Sequence, residues 1–239
     1  MDVGTLFHFD GKSDADAPII FLLSGDEDGA RVWDAARQLT ARPFSLATVP
    51  VTDWNRDLSP WAARRVFKGG EDFAGGADAF LQTLEDETVP AVRAEVQTDA
   101  PCILAGYSLA GLCAVYAAYR TTAFSGVISA SGSLWFPGFS EFAASRPFAR
   151  KPERVYFSLG DRESRTKNPV MRLVEDNTRK LCDAYAAQGV ETTFERNPGS
   201  HFQDAELRLA KGIAWILGGK PWNDPCRPSG TRSTTATEL

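Results

Sequence analysis

Histidine is scarce: two in 239 residues, at positions 8 and 201. Any chemistry that needs an imidazole therefore has only two candidates. The four cysteines, at 102, 113, 182 and 226, form no C-x-x-C pair and have no histidine at ligand spacing. That pattern is not a zinc site, and unpaired thiols are expected. Basic residues are not in excess: 26 Lys and Arg stand against 31 Asp and Glu, a net charge of -5. The broad basic face of a nucleic-acid binder is not expected. No apolar run approaches the roughly 20 residues that span a bilayer. Met1-Asp2-Val3-Gly4 is not the basic opening of a secretion signal. G-G-E-D-F-A-G-G (69–76) is not followed by Lys and Ser or Thr, so it is not a phosphate loop. No internal repeat is visible. These absences lead to the expectation of a cytoplasmic protein with no metal, no cofactor, no nucleic-acid partner and no membrane partner.

What is present is an alternation of apolar runs and helical patterns. P-I-I-F-L-L-S (18–24) is continuous, as in a strand buried on both faces. Further strands are expected at 44–51, 101–106, 126–131, 154–159 and 191–195. T-L-F-H-F (5–9) reads as an edge strand. Val32, Ala35, Ala36 and Leu39 mark a helix face, and 77–94 reads as a helix with a break near Pro90. Asn168-Pro169 opens a long helix that Gly189 ends. The last helix carries Leu207, Ala210, Ile213, Ala214 and Leu217, and stops at Gly218-Gly219. Residues 53–76 read as irregular. One domain is expected over 1–220, with a disordered tail at 221–239. Strands alternating with helices predict a mostly parallel sheet covered on both faces. Ligands of such sheets bind beyond the C-terminal strand ends.

G-Y-S-L-A-G (106–111) follows a strand and opens a helix, the context of a nucleophile elbow. The serine must stand on a sharp turn, so its neighbours must be very small. Gly106 meets this need. Ala110 stands where a second glycine is usual, with Gly111 one step later. Ser108 is the candidate nucleophile, and a serine hydroxyl needs a base to take its proton. His201, in N-P-G-S-H-F (197–202), lies after the last strand and is the candidate base; His8 reads as an ordinary strand residue. The orienting carboxylate should follow the strand at 154–159, where Asp161 and Glu163 both qualify. Two backbone N–H groups should meet the developing oxyanion: that of Leu109, and that of Asp26 in the turn after the first buried strand, where Gly25 would permit close approach. Trp54, Trp61 and Trp135 follow strands and are candidate walls of a substrate pocket.

G-Y-S-L-A-G-L, A-S-G-S-L-W (130–135), S-L-G-D-R-E (158–163) and N-P-G-S-H-F together resemble an esterase family of α/β-hydrolases. It includes esterase D-like enzymes and the enterochelin esterases, which open siderophore trilactones. The resemblance spans roughly residues 18–217. It implies an α/β-hydrolase fold with a small or absent lid and a serine esterase working through an acyl-enzyme on a small-molecule ester, including siderophore-type lactones. It also implies an acid three residues after the strand-ending glycine, which is Glu163. Asp161 would then close the turn. An acyltransferase using the same residues, or a non-catalytic module of this fold, is the alternative.

Overall fold

The computed structural model describes residues 4–8, 17–25, 28–67 and 69–218. The expected tail at 221–239 lies outside them. Each segment predicted as a strand is one, and two short strands, β4 and β5, are added: β1 (Leu6–His8), β2 (Ile19–Ser24), β3 (Ser45–Pro50), β4 (Ala62–Ala63), β5 (Phe73–Ala74), β6 (Cys102–Tyr107), β7 (Gly126–Ala130), β8 (Arg154–Gly160) and β9 (Glu191–Asn197). β4 and β5 form a small antiparallel pair. The other seven form one sheet in the order β1-β3-β2-β6-β7-β8-β9. Only β1 runs antiparallel to its neighbour.

The strands' composition explains the layers. Ile19, Phe21 and Leu23 enter one apolar cluster, and Ile20 and Leu22 enter another on the opposite face. A strand with both faces buried has no polar alternation to show, hence the unbroken run. α1 (Asp28–Leu39) and α8 (Ala205–Ile216) cover one face. α3 (Ala77–Thr83), α4 (Val89–Val96), α5 (Leu109–Ala117), α6 (Phe139–Ser145) and α7 (Val174–Ala187) cover the other. From β2 the chain moves outward to β3, and from β6 outward to β7, β8 and β9. The order thus reverses between β2 and β6, which opens a crevice above their C-terminal ends.

Four details depart from the sequence expectation. Residues 53–76 are not irregular throughout: α2 (Trp54–Asp57) is capped by Asp53, which accepts from the Arg56 N–H, and the β4–β5 pair follows. Elements this short carry no readable period. The break near Pro90 is a π turn at Leu84–Thr88 between α3 and α4. A widened turn lets the helix continue past a proline that has no N–H to donate. On α8, Leu207 is 41% exposed, and Arg208 turns inward in its place. Finally, Cys102 and Cys113 are free and buried, but Cys182 is disulfide-bonded. The expectation of four unpaired thiols is therefore corrected, and the argument for a reducing compartment falls with it. Asn168 does cap its segment, accepting from the N–H groups of Val170 and Met171. Among the described residues no helix is long and apolar enough to cross a membrane.

Candidate active site

Ser108 stands between β6 and α5 with φ 59° and ψ -121°. Positive φ costs a residue with a side chain of order 1–3 kcal/mol, so the surroundings must enforce it. They do so by close packing. A Cβ on Gly106 would lie 2.3 Å from the Ala110 carbonyl carbon and 2.8 Å from the Ala110 Cβ. A Cβ on Gly111 would lie 3.0 Å from Gly132 Cα. The Ser108 N–H donates to Ala130 O at 3.1 Å, and its carbonyl accepts from the Ser133 N–H at 2.9 Å. Ala110 is accommodated because Gly106 opposite has no side chain.

The loops after β8 and β9 bring the other polar groups over this turn. His201 Nε2 lies 3.0 Å from Ser108 Oγ, and His201 Nδ1 lies 2.8 Å from Glu163 Oε2. Asp161 points elsewhere: its Oδ1 accepts from the Gly199 N–H at 2.9 Å, and its own N–H donates to Asn197 O at 2.7 Å. It stitches the acid loop to the histidine loop and closes the turn. His8 pairs in β1 with Ser45, at the start of β3 and hence at the far end of the sheet from Ser108.

Glu163 is buried, which by itself would raise its pKa. Hydrogen bonds from His201, the Gly160 N–H and Ser131, together with the His201 charge, outweigh burial and hold the carboxyl below its ordinary value. It is therefore ionised and able to keep the imidazole oriented. Its Oε1 accepts from the Gly160 N–H at 2.6 Å, Ser131 Oγ at 2.8 Å and Arg208 Nη1 at 2.8 Å. Burial raises the Tyr107 phenol, which stays protonated and donates to His201 O at 2.6 Å.

Sequence reasoning missed Arg208, Ser131, Tyr107 and Ser133, whose Oγ lies 3.4 Å from that of Ser108. The only signal for Arg208 was a charge beside Leu209 on the inner stripe of α8. Ser131 has φ 48°, a conformation no sequence pattern announces.

Leu109 opens α5, so its N–H belongs to the first turn, where no intrahelical carbonyl is available to it. Asp26 lies outside the described residues. Gly25 is exposed, and a Cβ there would meet nothing within 4 Å, so the free protein does not require glycine at this turn. A cavity of about 360 Å³ is lined by Ser108, Tyr107, Trp54, Val32 and Leu209, with Arg31 and Glu206 paired at 3.4 Å among its walls. Trp54 thus lines the same cavity as Ser108. Trp61 instead donates from Nε1 to Pro137 O and packs among Tyr116, Phe136, Phe139 and Phe142. Trp135 is buried against Phe67 and Phe73. Trp135 belongs to the core and Trp61 packs, partly buried, against it, where large aromatic area is most useful. Phe202, 92% exposed, sets its ring edge-on to that of His201. Among the described residues no three His, Cys, Asp or Glu side chains converge to hold a metal ion.

A mostly parallel sheet with a serine elbow at its switch point, a histidine after its last strand and a carboxylate after the strand before it defines a serine hydrolase of the α/β-hydrolase fold. Residues 8–205 match the family described as "Putative esterase", and the chain belongs to that family. It is 23% identical over 212 residues to the uncharacterized protein YbbA of Bacillus subtilis, covering 80% of this chain and 84% of that protein. Among solved structures it resembles an IroE-like serine hydrolase from Shewanella oneidensis, with TM-score 0.75 and 19% identity, over 89% of this chain and 74% of the other. It also resembles the siderophore hydrolase EstA from Aspergillus nidulans, with TM-score 0.62 and 22% identity, over 87% and 83%. At these identities the structural likeness speaks for the fold.

Proposed function

We propose that Ser108, His201 and Glu163 form a catalytic triad that hydrolyses carboxylic esters through an acyl-enzyme. The observation that carries this reading is the unbroken chain of contacts from Ser108 Oγ to His201 Nε2 at 3.0 Å and from His201 Nδ1 to Glu163 Oε2 at 2.8 Å. Ser108 Oγ attacks the ester carbonyl carbon while His201 Nε2 takes its proton. Glu163 holds the Nδ1–H and stabilises the imidazolium that forms. The oxyanion is met by the Leu109 N–H and by a second donor from the turn after β2, for which Asp26 is our candidate. The imidazolium then protonates the departing alkoxide. Water, deprotonated by His201, releases the acid and restores the serine.

Trp54, Val32 and Leu209 give the cavity an apolar wall for the acyl or aromatic part of the substrate. Its volume suits a small-molecule ester. Siderophore-type lactones are the substrates we favour, because EstA acts on siderophores. A fluorophosphonate probe should label Ser108 stoichiometrically, and Ser108→Ala should abolish both labelling and ester hydrolysis. Labelling that moves to another serine, with hydrolysis intact, would refute the triad.

A further inference from the structure

The nucleophile, acid and base come from three different loops, after β6, β8 and β9. Loops of this kind do not hold one another in register unless something ties them. One side chain from α8 reaches all three. Arg208 is 0% exposed. Its Nη1 donates to Tyr107 OH at 3.1 Å, Ser131 Oγ at 2.8 Å and Glu163 Oε1 at 2.8 Å. Its Nη2 donates to Pro198 O at 3.3 Å and Ser200 O at 2.9 Å. Those two carbonyls flank Gly199, which has φ +105°, just before His201. Packing alone does not call for a charge here, since Leu209, Ile213 and Ile216 on the same helix are apolar and buried. A buried charge is costly unless paired, and this one is paired through its two terminal nitrogens, Nη1 reaching the acid of the site, while Nε has no partner.

The geometry also settles which oxygen His201 meets. Three donors converge on Glu163 Oε1, from Gly160, Ser131 and Arg208. Oε2 is left to face the imidazole. Gly160 makes room for this: a Cβ there would lie 2.8 Å from Arg208 Nη2 and 2.4 Å from Gly199 O. A planar fork can bond the carboxylate with one nitrogen and the histidine loop with the other, which a single ammonium cannot do.

We propose that Arg208 is the positioning residue of the site, fixing Glu163 and the His201 loop in a common frame from the far side of the carboxylate. The proposal rests on the triad reading above. It is tested with Arg208→Met and Arg208→Lys, each alone and combined with Glu163→Gln, using a chromogenic ester and thermal melts. The folded Met variant should lose about 10²-fold in kcat with KM nearly unchanged, because a displacement near 1 Å is enough for such a loss. The Lys variant should recover part of it. In the Glu163→Gln background, Arg208→Met should cost less than about tenfold more, since only its hold on the His201 loop through Pro198 O and Ser200 O is left to lose. If the Met variant does not fold, the Lys variant carries the same comparison. Unchanged kcat in a folded variant, or losses that multiply in the double variant, would overturn the proposal. If Ser108→Ala remains active, the triad reading fails instead.

Discussion

Replacing Glu163 by glutamine changes one atom and should nearly silence the enzyme, for a reason that can be followed bond by bond. Three donors point at Oε1: the Gly160 N–H, Ser131 Oγ and Arg208 Nη1. In Glu163→Gln the amide oxygen must stay there, because an NH2 group would face two or three donors in a buried site. The NH2 is then turned toward His201 Nδ1, 2.8 Å away in the wild type. Nδ1 becomes the acceptor, so the ring proton moves to Nε2, the nitrogen facing Ser108 Oγ. A nitrogen that already carries a proton cannot take another from the serine. A wrong tautomer of this kind costs roughly 10⁴ in kcat in serine hydrolases with intact geometry. The same variant leaves Arg208 buried without its charge partner. Breaking a buried pair costs about 3–5 kcal/mol, and the surviving hydrogen bonds argue for the low end. At about 2–4 °C per kcal/mol for a chain of this size, the melting temperature should fall by roughly 6–12 °C. Asp161→Asn is the control: its oxygen can still accept from the Gly199 N–H, so turnover should be within about twofold of wild type. Burst and steady-state assays on a chromogenic ester, with melts on the same samples, read both effects. A folded Glu163→Gln enzyme with near-normal kcat would refute the argument, as would an inactive Asp161→Asn.

Three further outcomes follow from the same contacts. Gly106→Ala drives a methyl to 2.3 Å from the Ala110 backbone and should destabilise by more than the roughly 1–3 kcal/mol of ordinary overpacking, whereas Gly25→Ala, with nothing within 4 Å, should leave the melting temperature unchanged. Because the folded-state pKa of Glu163 is depressed, its contribution to stability is present above the ordinary carboxylate value and is lost as pH falls through the depressed one; melts between about pH 5 and pH 3 should therefore fall more steeply for wild type than for Glu163→Gln, and parallel curves would contradict this. Trp54→Ala should raise KM about tenfold for bulky esters with little change in kcat, while Trp61→Ala should destabilise the fold by up to roughly 3 kcal/mol, the low end for a lost aromatic because Trp61 is only partly buried, and leave the KM of the folded enzyme alone.

The fold was legible because its signals are local. β2 and β6 are dominated by continuous apolar runs, and G-Y-S-L-A-G joins a strand to a helix within six residues. Ser108 and His201 could be proposed because chain order and position at the strand ends restrict the choice to a few residues; the same reasoning left Asp161 and Glu163 open, and the family resemblance favoured Glu163. The histidine count restricted it further. Arg208 was not legible, since an arginine on an amphipathic helix reads as solvated surface and its partners Tyr107 and Ser131 lie 101 and 77 residues away. Trp61 and Trp135 were misjudged because sequence gives the loop a tryptophan sits on, not the side of the loop it faces. The small β4–β5 pair escaped because two residues have no periodicity. The bonded state of Cys182 escaped because spacing alone does not reveal a partner.

The packing at the elbow changes what a sequence pattern ought to encode. Positions 106 and 110 face each other so closely that a Cβ at 106 would lie 2.3 Å from the carbonyl carbon of residue 110 and 2.8 Å from its Cβ, so a side chain fits at 110 only while 106 is glycine. A pattern that asks for glycine at each position treats the two as equivalent, when the backbone forbids any side chain at 106 and a methyl at 110 is tolerated because 106 has none. Gly111 and Gly132, from different segments of the chain, are as close: a Cβ on Gly111 would lie 3.0 Å from Gly132 Cα. A search that scored the two positions jointly would accept Ala110 opposite Gly106 and would reject any side chain at 106. Distant relatives with altered elbows would then be recognised by the volume they leave empty, even where the letters disagree.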